Sequence, residues 1–195
     1  MFLGLPTPAL IGIFAGIIVL VIVVAIVSWY VKTMNKLRRL EVKVEEALSG
    51  IDVALTKRYD LLTKMLDTTK GYAKHESETL EKVIKWRNGI PADATMEQKS
   101  EFASSLTKAA NGLSVVVENY PDLKANDMFG KLQAAITDSE EQLQASRRIY
   151  NSNVTIINTA IVTWPTSIVA RKINLQKKEF FEAEEAKRAD VKMEF

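Results

Sequence analysis

The chain has 195 residues, with 26 basic and 24 acidic side chains and a net charge of +2. That length allows one domain of ordinary size plus a short extra element, and the near balance of charge gives no global case for nucleic-acid binding. Cysteine is absent and His75 is the single histidine, which excludes disulfides, thiolate metal sites and cysteine nucleophiles.

No charged residue precedes Lys32, and Ala9–Val31 ("ALIGIFAGIIVLVIVVAIVSWYV") is almost wholly apolar. As a helix it spans roughly 34 Å, enough to cross a hydrocarbon core of about 30 Å. Thr7 and Pro8 supply a helix start, and Trp29 and Tyr30 an interfacial anchor. A cleaved signal peptide fits poorly, because no positive charge leads the run and bulky "SWYVK" follows it. Lys32, Lys36, Arg38 and Arg39 come before the first acid, Glu41. The positive-inside rule then expects a single-pass protein of the cytoplasmic (inner) membrane, N-terminus outside and the C-terminal part in the cytoplasm. Gly12 and Gly16 form a GxxxG pair that would let a second helix approach, although small residues are common in such helices anyway.

Beyond the anchor, Leu37, Leu40, Val44, Leu48, Ile51, Leu55, Tyr59, Leu62, Leu66, Ala73, Leu80 and Ile84 recur at about the 3.6-residue period of a straight helix in a globular bundle. This predicts helix from the membrane to near Arg87, with a bend at Gly50, ending at "NGIP". A second helix is predicted from Thr95, where Gln98 completes a capping box. It buries Phe102, Leu106, Ala109, Leu113, Val116 and Val117, with Val115–Val117 finishing the apolar face. In "VENYPDLKANDMF" Pro121 stops that helix, and Asn126 or Asp127 caps a third that runs to Trp164 before Pro165. The third buries Phe129, Leu132, Ile136, Leu143, Tyr150, Val154, Ile157 and Ile161. Its length matches the stretch from Gly50 to Arg87, which favours antiparallel pairing with the shorter helix alongside. The charged tail, with Phe180 and Phe181, reads as a short docked helix or a frayed end, with an amphipathic membrane-surface helix less favoured because its acids nearly match its bases. The expected fold is all-α, a single N-terminal transmembrane helix continuing into an elongated antiparallel helical bundle. The segments are 1–31 (anchor), 32–165 (bundle) and 166–195 (partly helical tail).

Few residues suggest chemistry. His75 and Glu78 would share a helix face with Glu81 beyond, but a carboxylate-bridged di-metal bundle needs Glu-x-x-His twice, so no metal is expected. There is no nucleophile–histidine signature, P-loop or GxGxxG. Asparagine is a poor helix former, yet Asn151, Thr155 and Asn158 follow one face of the third helix. Some of these amides, with Arg147 or Arg148, would bond across to Arg58 and Asp60 in "TKRYD" and set helix register. Solvent exposure and a ligand site are the alternatives. At the corner, Tyr120 and Asp122 could meet a neighbouring subunit, whereas Glu118 and Lys124 lack the partners that catalysis would require.

Five spaced motifs, "NKLRRLEVKVEEALSGIDVALTKRYDLL", "KGYAKHESETLEKV", "VVVENYPDLKANDMFGKLQ", "RRIYNSNVTIINTAI" and "WPTSIVA", resemble the LemA family from the anchor nearly to the C-terminus. The resemblance implies one membrane helix followed by a helical bundle, and it supplies no enzymatic activity to transfer. Where the family often has proline and asparagine after "RYDL", this chain has Thr63 and Lys64, in keeping with an uninterrupted first helix. The second of two family "YN" pairs reads Ile157-Asn158, without the hydroxyl. The expectation is therefore a non-enzymatic protein without cofactors that self-associates as a homo-oligomer, contacts membrane lipid and organises membrane or partner proteins. The alternative is a cytoplasmic-facing adaptor or sensor for a soluble protein partner.

Overall fold

The computed structural model describes residues 7–69, 91, 94–118, 120–121 and 126–181. Helix α1 is Thr7–Thr69, α2 is Met96–Glu118, α3 is Asp127–Val162 and α4 is Thr166–Lys172. The chain is all-α, with no strand among the described residues. The first helix runs through Gly50 without interruption. A side chain there would stand at an ordinary 4.0 Å from Ser146 Oγ, so crowding does not impose the glycine. The part of the first helix expected beyond residue 69, including Ala73, Leu80 and Ile84, lies outside the described residues.

Helix starts follow local chemistry. Thr95 Oγ1 accepts the Gln98 N–H at 3.2 Å while Gln98 Oε1 accepts the Thr95 N–H at 2.9 Å, a reciprocal capping box. Asn126 Oδ1 accepts the Met128 N–H at 2.9 Å and so caps α3. That helix ends at Val162, two residues before the predicted Trp164, and a cis Trp164–Pro165 peptide leads into α4.

The chain forms two compact units. The larger comprises residues 43–155 and 178–195. Within it, Lys43 meets Asn153 and Lys57 meets Gln142. Rising numbers on α1 thus meet falling numbers on α3, as antiparallel packing requires. On α2, Lys99 meets Asp52 and Thr107 meets Arg58, so α2 runs parallel to α1. From residue 51 to 69, α1 buries Ile51, Ala54, Leu55, Arg58, Leu62, Met65, Leu66 and Thr69. This stripe is wider than one helix partner needs, because two helices pack against it. The core is completed by Phe102, Leu106, Leu113, Phe129, Leu143 and Val154. Val117 is buried but Val115 is 60% exposed. The expectation that Val115–Val117 all finish the face is corrected here, since adjacent helical residues point about 100° apart. Leu132 and Ile161 of the expected α3 stripe are only half-buried.

The smaller unit comprises residues 1–42 and 156–177. Thr33 and Leu37 of α1 and Ile157, Val169, Ala170 and Leu175 are buried. The end of α4 is a Schellman motif. The Leu175 N–H bonds to the Ala170 carbonyl at 3.0 Å and the Asn174 N–H to Arg171 at 3.2 Å. Asn174 has φ 52°, a left-handed conformation that asparagine tolerates better than most residues.

Candidate functional site

Arg58 is the centre of the bundle's polar chemistry. It sits on the buried face of α1 at 2% exposure, in register with Ile51, Leu55 and Leu62. Its guanidinium pairs with the Glu140 carboxylate on α3 and donates to Thr107 Oγ1 on α2 at 3.1 Å. One side chain thus ties three helices. Burial lowers the Arg58 pKa, opposed by the Glu140 charge and hydrogen bond. Near it, Lys99 is 3% exposed and pairs with Asp52. Lys57 donates to Gln142 Oε1 at 3.0 Å.

The sequence-based pairing of Arg58 with α3 amides is corrected by these contacts. Arg58 turns to Glu140, which bears a full charge and can offset a buried guanidinium better than an amide. Asp60 is exposed. Two α3 amides that bond to α1 are Gln142, which accepts from Lys57, and Asn153, which donates to the Lys43 carbonyl at 3.3 Å. Asn158 is half-buried in the smaller unit.

Asn151 turns instead to the segment after α4. Its Nδ2 donates to the Phe181 carbonyl at 3.0 Å, and its Oδ1 accepts the Phe181 N–H at 2.8 Å. Both backbone groups of one residue are satisfied by a single amide, which carries a donor and an acceptor side by side. The Arg147 guanidinium lies over the Phe181 ring, 4.7 Å from its centroid. The Tyr150 hydroxyl donates to the Glu179 carbonyl at 2.9 Å. Alongside is a surface groove of about 480 Å³ lined by Gln144, Arg147, Arg148, Asn151, Thr155 and Phe181, among others. Residues 179–181 are therefore strapped to α3. The signal for this in the sequence was the ill-suited Asn151 together with the aromatic pair of the tail.

Tyr150 is buried, and burial together with the Glu179 carboxylate pushes its pKa up to about 12. The folded hydroxyl holds its proton more tightly than the unfolded one. Its contribution to stability is complete below pH 10 and is lost as pH rises through about 12. Tyr150→Phe is expected to lower the unfolding free energy by about 1 kcal/mol at neutral pH. It should also flatten the alkaline decline in urea titrations across that window; an unchanged decline would assign it to other groups.

Gly12 and Gly16 lie in the apolar stretch of α1, with open space where side chains would stand. Tyr120 is half-buried just beyond α2, and its N–H bonds to the Val117 carbonyl at 3.1 Å. Asp122, Lys124, His75, Glu78 and Glu81 lie outside the described residues. Among the described residues, no three histidine or carboxylate side chains gather in a way that could hold a metal ion.

A model described as the LemA family matches residues 47–195. Protein LemA of Metamycoplasma hominis is 33% identical over 163 residues, covering 83% of this chain and 74% of that protein. Magnetosome protein MamQ of Magnetospirillum gryphiswaldense is 21% identical over 159 residues, covering 68% of this chain and 58% of its own length. Magnetosome protein MamQ 2 of Paramagnetospirillum magneticum is 20% identical over 190 residues, covering 84% and 70%. By the extent of the family match and the identity to Protein LemA, this chain belongs to the LemA family.

Proposed function

We propose that the protein is a non-catalytic, membrane-anchored helical scaffold that self-associates and holds partner proteins at the cytoplasmic face of the inner membrane. One observation carries this reading. A single helix, Thr7–Thr69, holds both an apolar stretch long enough to span a bilayer and a face of the helical bundle. Large apolar side chains from Ile11 to Val27 are exposed, and a hydrocarbon environment would cover them at no desolvation cost. Arg58, Lys99, Asn151 and Tyr150 are engaged in ties between helices or to the tail, which supports a structural role for the polar groups. Confinement to a membrane raises local concentration, so weak lateral contacts through α1 suffice for assembly.

Crosslinking of the full chain in native membranes, beside a chain beginning at Lys32, tests this. Crosslinked ladders from the full chain and their loss on removing the anchor are expected. An evenly dispersed monomer would refute the scaffold. Undiminished partner capture by the anchorless chain would favour the adaptor instead.

A further inference from the structure

The turn between α3 and α4 carries apolar side chains that the fold leaves uncovered. Trp164 is 77% exposed, Val162 58% and Ile168 48%. A tryptophan this open has a large apolar ring and one N–H donor, the combination that favours the border between hydrocarbon and water.

The turn's position in the smaller unit is informative. On α1 the side chains from Ile11 to Trp29 are exposed, Tyr30 and Met34 are partly covered, and Thr33 and Leu37 are buried. The packing of residues 156–177 against α1 therefore stops at about Tyr30. That is where the apolar stretch ends. Residues 162–164 belong to the segment that shares this unit with the end of the apolar stretch.

Two further observations select lipid as the occupant. First, the turn carries several hydrogen bonds of its own. Thr166 Oγ1 contacts the Ala160 and Thr163 carbonyls at 2.6 and 2.8 Å, the Ser167 N–H bonds to Thr163 at 2.9 Å, and the Ile168 N–H to Pro165 at 3.2 Å. Pro165 itself has no N–H. Each bond made within the turn leaves one fewer backbone group to give up its water on entering a poorly hydrated layer, where unsatisfied groups are costly. Second, the unit spanning 1–42 and 156–177 holds seven basic residues and one acid, a net charge of +6 where the whole chain carries +2. Arg171 and Lys172, exposed on α4, add to the basic group that follows the apolar stretch. Such a surface is attracted to a bilayer carrying anionic lipid.

We propose that the α3–α4 turn, led by Trp164, inserts into the interfacial layer of the bilayer that α1 crosses, with Arg171 and Lys172 on anionic headgroups. The bundle is then held at two points, the anchor and the turn. This rests on the anchor reading given above.

The test uses the full chain reconstituted in vesicles of phosphatidylcholine and phosphatidylglycerol, with single-tryptophan variants read by fluorescence. Trp29→Phe with Trp86→Phe leaves Trp164, and Trp164→Phe with Trp86→Phe leaves Trp29. Brominated lipid is expected to remove most of the emission from both, and aqueous iodide to quench Trp164 weakly. Replacing phosphatidylglycerol with phosphatidylcholine should reduce lipid quenching of Trp164 and leave Trp29 unchanged; equal quenching of Trp164 in both overturns the anionic-lipid part. Trp29 quenched by lipid while Trp164 stays open to iodide overturns the inference and leaves the anchor standing. Trp164 shielded from both quenchers overturns it in favour of cover by a second copy. Failure of lipid to quench Trp29 refutes the anchor reading, and this inference with it.

Discussion

Glu140→Ala is expected to lower the unfolding free energy by about 3 kcal/mol, read from urea titrations of the detergent-extracted chain. The substitution leaves Arg58 at 2% exposure with its charge and without its counter-ion. Taking an unpaired guanidinium out of water is costly, and the Thr107 hydroxyl, a neutral acceptor, offsets little of that cost. The figure lies at the low end of what breaking a buried pair costs, because the Glu140 side chain is itself 32% exposed. Replacing both partners, as Arg58→Met with Glu140→Leu, should bring stability back to within about 1 kcal/mol of the parent. Equal losses in the single and double variants would show that the helices need the ion pair itself rather than relief from an orphaned charge.

Phe102→Ala should cost about 4 kcal/mol, through lost transfer energy and the cavity left behind. Phe102 is 1% exposed, and its ring meets Tyr59 at a centroid distance of 6.0 Å and a 40° tilt, a favourable aromatic geometry. It is a principal anchor of α2, the shortest of the three bundle helices, against α1. Val115→Ala on the exposed side of α2 should stay within about 0.5 kcal/mol. A loss below about 1 kcal/mol for Phe102→Ala would mean that α2 contributes little to the cooperative unit.

The two predictions differ in how far the sequence anticipated them. Phe102 belongs to a helical stripe with Leu106, Ala109 and Leu113, and its burial follows from spacing within one segment. Arg58 was named from the sequence only as a charged partner for α3, because the stripe read from spacing passes through Tyr59, whereas the fold buries Arg58 between Leu55 and Leu62. The partner's identity was not legible. Arg147, Arg148, Asn151 and Asn158 drew attention as clustered polar residues on α3, whereas Glu140 stands among the charges of "SEEQLQ" with nothing local to single it out. Only the antiparallel register of α3 on α1 brings residue 140 opposite residue 58.

The tail shows the same division. Asn151 looked out of place in a helix and was, because it serves as a clamp for Phe181. Its ligand, a backbone thirty residues later in the chain, carries no side-chain signature.

Legible from local sequence were the all-α class, the apolar stretch, the capping box at Thr95, a cap at Asn126 or Asp127, the stop before Pro165 and the family. Each depends on residues a few positions apart, where spacing and local hydrogen bonding act without knowledge of the fold. Only the tertiary fold shows that α2 runs parallel to α1, that Glu140 and Thr107 share Arg58, and that Trp164 stands uncovered. Those outcomes depend on which distant surfaces approach. That choice is made by the summed burial and pairing of many side chains, not by any short run of them.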